Sequence, residues 1–368
     1  MKLQSIALST LLALCGSITL AEDAPTPETA APVSSEAASQ RFSQREDVKA
    51  FIDEMVTQYG FDRAQLEAQF DRIVLKPHVL EILDRPSTSR PYYEFRPNFV
   101  NATRIRNGVA WWHEHAKTIA AVSEHYHVDP EYLVAILGVE TMWGEDAGSF
   151  RVMDALSTIA FNYPRRADYF RKELREFLLL AREENQDPFS FKGSYAGAMG
   201  MPQFMPSSYR AYAQAWDGNA HRDIWRNPGD TLASIANYFS EHGWTAGTPL
   251  VARAQVQGAD FAPLVDDKFN LHYKVSELAP FGVTPAKPLS DDPLAVLAPL
   301  DTAPGTTDYW LGYNNFVVIT RYNHSTLYAM AVHELAQAIK AAYLDPSLLP
   351  PAPHAKKVKK KHLRMAGG

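Results

Sequence analysis

The chain has 368 residues, 46% of them hydrophobic and 21% charged, with a formal charge of −6. That length suits one large lobed unit or two smaller ones, and the composition supports a sizeable core. Five lysines and one arginine crowd the last fifteen residues with no acid among them, so the body is more acidic than the whole. This argues against nucleic-acid binding, which rests on clustered positive charge.

Lys2, the apolar run Leu3 to Leu14 and the small-residue ending before Glu22 read as a secretory leader over residues 1–21. The run is too short to span a bilayer. Export implies a site outside the cytoplasm, most simply a periplasm. The only cysteine, Cys15, lies in this leader, which leaves the mature chain without disulfide, thiolate or cysteine–metal chemistry. Cys15 is also the one place for a lipid anchor, but the Leu-Ala-Leu before it is a poor context. Residues 22–45, rich in Ala, Pro, Ser, Thr and Glu, read as a disordered linker.

From Asp47 a helical period starts, with Val48, Phe51, Ile52, Met55 and Val56 on one face and Gly60 at its end. A second helix follows in "DRAQLEAQFDRI". "DPEYLVAILGVETMWG" is the best-marked helix: Asp129 is placed to cap it, Pro130 and Glu131 suit its first turn, and Gly144 suits its stop. Further helices are predicted at Tyr169–Glu184, Ser207–Ala215 and Thr231–His242, the last capped by Asp230. Beyond Trp244, Thr248–Val256, Ala295–Leu300 and Phe316–Thr320 read as strands among Pro- and Gly-rich loops. A last helix is predicted from about Ser325 to Tyr343. The pattern is that of a mainly helical protein with a smaller β-containing insertion and no internal repeat.

Glu140 stands out because it interrupts the apolar run Val134–Val139. An unpaired buried carboxylate is costly, so burial favours its neutral form and raises its pKa toward that of a general acid. Trp143, three residues on, is placed on the same face. The plain alternative is a helix-end glutamate that is paired or faces water. Most glycosidases need two carboxylates. Glu145 and Asp146 lie beyond Gly144, and no second acid stands in an apolar setting. A lone acid suits chemistry in which the substrate brings its own nucleophile, such as an N-acetyl group.

"FKGSYAGAMGMPQFMPSSY", Phe191 to Tyr209, is apolar, rich in Gly and Met, and has Ser194 and Gln203 as polar points. It matches neither a phosphate loop nor a serine-hydrolase elbow. A buried connector and a site loop are both open readings.

Five motifs, "GVETMWG", "FNYPRRADYF", "GSYAGAMGMPQFMPSSY", "ANYF…HGW" and "ITRYNHSTLYAMAV", resemble in order those of the membrane-bound B type of lytic murein transglycosylases. The resemblance runs from about Glu46 to Tyr343. It implies an α+β, mainly α fold: a lysozyme-like helical core with an additional helical lobe and a small β-containing lobe at about 246–315. The catalytic domain then spans 46–345, and 346–368 forms a Pro-containing, basic disordered tail. The implied reaction is non-hydrolytic cleavage of the MurNAc-β-1,4-GlcNAc bond of peptidoglycan, leaving 1,6-anhydro-MurNAc ends. A hydrolytic muramidase and an inactive peptidoglycan-binding scaffold are the rivals.

By the same resemblance Glu140 takes the place of the single catalytic acid. Ser194 and Asn323 match residues at the acid and the N-acetyl group. Gln203, Tyr238, Tyr322 and Tyr328 match sugar-subsite residues, and without the resemblance these tyrosines read as core packing. Arg165 and Arg166 match an arginine pair suited to stem-peptide carboxylates. Phe95 stands where the family has a groove tyrosine. No cofactor is required. Some relatives bind calcium, and here Asp217, Asn219 and Asp230 could supply ligands, but Ala215 occupies the first ligand position, which predicts a weak site. His113, His115, His125 and His127 lack zinc spacing. A monomer acting on glycan strands is implied, and the tail is either a solvated end or an attraction to anionic wall or membrane surface.

Overall fold

The computed structural model describes residues 41–84, 90–218 and 221–351. The leader, Cys15, nearly all of the linker and the basic stretch after Pro351 lie outside the described residues. An N-terminal helical lobe comprises α1 (Glu46–Tyr59), α2 (Arg63–Asp71) and α3 (Pro77–Asp84), followed by the short α4 (Tyr92–Phe95). In α1, Val48, Phe51, Ile52 and Met55 are buried, and Gly60 closes the helix in the left-handed region at φ 68°, where glycine carries no steric penalty.

The centre is built from α5 (Ala102–Tyr126) and α6 (Pro130–Thr141), while α7 (Val152–Asn162) and α8 (Ala167–Glu183) pack on each other. Every residue of α6 from Glu131 to Thr141 is buried. A helix that is apolar all round belongs in the middle of a core, enclosed by other helices. Those neighbours are α5, α10 (Pro228–Glu241) and the long C-terminal helix α13 (Thr326–Leu344). The short α9 (Pro206–Tyr212) packs on α8.

The β lobe is a five-stranded antiparallel sheet. Its strands are β3 (Val251–Val256), β4 (Tyr273–Lys274), β5 (Val283–Pro285), β6 (Leu294–Ala303) and β7 (Thr306–Gly312), in the order β4-β6-β7-β3-β5. A second, two-stranded ribbon, β1 (Phe150–Arg151) with β2 (Lys192–Gly193), lies at the entry to the Gly-rich loop. The short α11 (Ala262–Asp266) covers β6, and α12 (Asn314–Tyr322) leads from β7 back to the helical body.

Several local expectations are corrected. Phe316–Thr320 is not a strand but the middle of α12. Its β-branched residues cost a helix only tenths of a kcal/mol each, and burial of Phe316 to Thr320 outweighs that. The sequence reading misses the short β1, β2, β4 and β5 and the longer β7, which pairs with β6 across a turn at Gly305. Asp129 does not cap α6; its carboxylate accepts the indole N–H of Trp244 and the N–H of Gly247, each at 3.0 Å. Asn227, rather than Asp230, caps α10, its Oδ1 accepting from Gly229 N at 2.8 Å. The helix expected at Ser207–Ala215 stops at Tyr212.

The end of α6 also differs. The helix stops at Thr141 rather than at Gly144, because Met142 and Trp143 both turn left-handed, at φ 51° and 59°. Trp143 is therefore not on a helical face with Glu140. Its ring folds back under the helix, where the indole N–H donates to Val134 O at 3.0 Å. The slot exists because Gly138 and Gly108 have no side chain: a Cβ on Gly138 would meet the Trp143 ring at 2.5 Å.

Candidate active site

Glu140 sits in the last turn of α6, 9% exposed. Its Oε1 accepts the phenol O–H of Tyr328, from α13, at 2.5 Å. Burial pushes its carboxyl up to about 7, against the opposing pull of the Tyr328 hydrogen bond and the charge of Arg104 on α5. A carboxyl of that kind holds its proton near neutral pH. Burial, together with Glu140 itself, also drives the phenols of Tyr328 and Tyr322 well above their ordinary range. Both stay protonated and act as donors.

The tyrosines gather from three helices. Tyr238 of α10 and Tyr322 of α12 have ring centroids 5.0 Å apart, and Phe204 lies 5.9 and 5.8 Å from them. Tyr322 O–H donates to Pro202 O at 2.5 Å. That bond ties the cluster to the Gly-rich loop, which α6 holds from its other side: Thr141, next to Glu140, donates its hydroxyl to Met201 O at 2.9 Å.

The loop is stiff for stated reasons. Ser194 and Ala198 are bonded twice, Ser194 N donating to Ala198 O at 2.8 Å and Ala198 N donating to the Ser194 side-chain Oγ at 3.0 Å. Gln203, in the left-handed region, donates its amide to Gly200 O at 2.8 Å and Ala147 O at 3.2 Å. Gly148 packs so closely on the Gly193 carbonyl that no Cβ fits there. Ser194 and Asn323 are both 8% exposed, Asn323 directly following Tyr322 at the end of α12.

Not every residue singled out from the sequence joins this cluster. Phe95 is 5% exposed and packs on Phe99 with centroids 4.8 Å apart, as core does. Arg165 and Arg166 lie on the turn between α7 and α8, where Arg165 pairs with Asp84 at 3.5 Å and Arg166 stacks over Tyr169 at 4.7 Å. Two residues were missed. Arg104 gives no sequence signal beyond being one arginine in "NATRIRNG". Thr141 is hidden by its neighbour Glu140. Tyr328, read as a subsite wall, has the acid itself as its hydrogen-bond partner.

Asp217 and Asp230, the two expected calcium ligands among the described residues, already hold other partners. Asp230 is fully buried, its Oδ1 accepting Trp216 N at 2.8 Å and its Oδ2 accepting Asp223 N at 2.9 Å. Burial, with smaller contributions from Asp217 and Asp223, raises its carboxyl above the ordinary range. Asp217 is exposed and takes an N–H of Asn227 at 3.2 Å. Asn219 lies outside the described residues. Among the described residues no three acidic or imidazole side chains converge as metal ligands. With Ala215 at the first position and Asp230 turned to backbone amides, the donor set does not fit a tight calcium centre.

A helical core that carries the buried, proton-holding Glu140 beside a cluster of tyrosines, with a small sheet next to it, defines a mainly helical, lysozyme-like protein. The model of the family described as Transglycosylase SLT domain matches residues 43–337. The curated Escherichia coli (strain K12) membrane-bound lytic murein transglycosylase B is 43% identical over 311 residues, covering 82% of this chain and 84% of that protein. Catenated lytic transglycosylase SltB1 of Pseudomonas aeruginosa is 44% identical, with TM-score 0.78 over 82% of this chain and 99% of that one. Escherichia coli Slt35, solved in complex with calcium, is 42% identical, with TM-score 0.74 over 82% and 95% of the two chains. SltB3 of Pseudomonas aeruginosa, solved in complex with NAG-NAM-pentapeptide, is 30% identical, with TM-score 0.69 over 80% and 79%. The chain belongs to the family of lytic murein transglycosylases.

Proposed function

We propose that this chain is a peptidoglycan lytic transglycosylase with Glu140 as both acid and base. One observation carries the reading: the Glu140 carboxyl is buried against Tyr328 and Arg104, and among the described residues no second carboxylate acts on it. A single acid that keeps its proton to about pH 7 suits a reaction whose nucleophile comes from the sugar.

Glu140 gives its proton to the glycosidic oxygen as the C1–O bond of MurNAc breaks, and the GlcNAc end leaves as an alcohol. The MurNAc N-acetyl group stabilises the electron-poor C1. The Glu140 carboxylate then takes the proton of the C6 hydroxyl while that oxygen bonds to C1. The ring closes as 1,6-anhydro-MurNAc, no water is consumed, and Glu140 regains its proton. Ser194 and Asn323 are assigned to the N-acetyl group, Gln203, Tyr238 and Tyr322 to the sugar subsites, and Arg165 and Arg166 to stem-peptide carboxylates. Tyr328 orients the acid. Phe95 is assigned to the groove wall, where it packs on Phe99.

Peptidoglycan strands are the partner, a reading supported by the muropeptide complex of the SltB3 relative. The leader at 1–21 supports action in the cell envelope, and the basic tail supports attraction to anionic polymer; the protein acts as a monomer. The test is mass spectrometry of the products released from purified sacculi. Anhydro ends are expected. Reducing MurNAc ends identify a hydrolytic muramidase, and no turnover identifies a binding scaffold.

A further inference from the structure

Where α6 ends, its carbonyls need donors. The N–H groups of Met142 and Trp143 both turn back to the carbonyl of Leu137. The Gly138 carbonyl, one residue on and two before Glu140, takes its donor from another helix: Arg104 Nη1 of α5. The same side chain is fixed at its root, Nε donating to Asn98 O at 3.0 Å and the guanidinium lying 5.4 Å from the centre of the Phe99 ring. Phe99 is braced in turn by Phe95. Arg104 is thus a rigid fork, half-buried, at the negative end of the helix that carries the acid, where a cation is favoured. It interacts electrostatically with Glu140 and with Asp146 beyond the helix end.

We propose that Arg104 is a positioning residue for the reaction: it closes the free Gly138 carbonyl, fixes the last turn of α6, and holds a permanent positive charge near the Glu140 carboxyl. This rests on Glu140 being the acid and base proposed above. Proton delivery to the glycosidic oxygen leaves a carboxylate in an apolar wall, and that carboxylate must persist until it accepts the C6 hydroxyl proton. The other groups around it are neutral donors, Tyr328 from α13 and Tyr322 from α12, with Tyr238 of α10 behind them. Among the described residues, Asp146 is the one acid acting on the arginine besides Glu140. Arg104 supplies the positive charge without touching the sugar.

The test uses the full chain with Arg104→Gln and Arg104→Lys, reading muropeptide release from sacculi against pH. In Arg104→Gln the plateau rate at acidic pH is expected to fall at least tenfold, inside the ~10²-fold that a small misplacement costs. Its alkaline limb moves to higher pH, because the charge that favours ionised Glu140 is gone. Arg104→Lys keeps the charge but cannot reach both Asn98 O and Gly138 O, so it is slower with its limb in place. A Gln limb standing where the wild-type limb stands overturns the proposal, as does a Lys variant with wild-type rate or with a shifted limb. If Arg104→Gln does not fold, the Lys variant alone decides by the same two readings. Activity surviving in Glu140→Gln is a separate failure, that of the proposed acid.

Discussion

The phenol of Tyr328 and the carboxyl of Glu140 are joined by a 2.5 Å hydrogen bond between two helices whose residues stand 188 positions apart in the chain. The bond fixes one carboxyl oxygen. It also lowers the pKa of Glu140, against the upward push of burial. Tyr328→Phe removes this donor while keeping the ring. Activity on sacculi is expected to fall roughly tenfold through loss of orientation, and the alkaline limb of the pH profile to move upward. Denaturant unfolding is expected to show a loss of about 1–3 kcal/mol, the range for a buried hydrogen bond to an ionisable group. Wild-type rates with an unmoved limb would show that the acid is held by other groups.

Activity is expected to decline as pH rises through about 7, since only protonated Glu140 can start the reaction and burial holds its pKa there. The measurement is kcat/KM on soluble muropeptide chains across mildly acidic to alkaline pH. A profile flat through pH 7 to 9 speaks against Glu140 as the acid.

The same carboxyl makes stability pH-dependent. Its pKa lies at about 7 when folded, against 4.5 for the free side chain. The native state therefore binds the proton more tightly, so the favourable contribution is complete below about pH 4.5 and is lost as pH rises through about 7. The difference corresponds to about 3 kcal/mol. Glu140→Gln, which has no charge to bury, is expected to abolish turnover yet melt higher than wild type at pH 8, with the gap closing toward pH 4.5. A Gln variant that melts lower than wild type at pH 8 would contradict this.

Removing calcium is expected to cost little. Asp230 spends both oxygens on the Trp216 and Asp223 amides, so the loop is held by the carboxylate itself. A calcium-selective chelator should leave the melting temperature within about a degree. Asp230→Ala should cost several degrees, since unsatisfied buried amides cost roughly 1–3 kcal/mol each and 1 kcal/mol is about 2–4 °C in a chain this large. A large chelator effect with a mild Asp230→Ala effect would reverse the roles.

What was legible in the sequence depended on whether a residue's partner lay nearby in the chain. Glu140 was visible as a carboxyl bound for burial because its apolar surroundings are its own helical neighbours. Gly60 ended α1 as its position suggested. Asp129 and Asp230 stood where N-caps stand, yet each carboxylate serves distant groups: Trp244 and Gly247 for one, Trp216 and Asp223 for the other. Local cap rules cannot anticipate such partners. Phe316–Thr320 carried strand propensity, and tertiary burial made it a helix. Arg104 had no local signal, because the carbonyl it closes becomes free only where Met142 breaks the helix.

The pairing of Tyr328 with Glu140 sets an order in time. The acid is synthesised before its hydrogen-bond donor, which comes only with the last long helix of the chain. A nascent or partly threaded chain holds Glu140 with no Tyr328 to orient it. The orientation that Tyr328 gives the acid is therefore in place only once the C-terminal helix has docked.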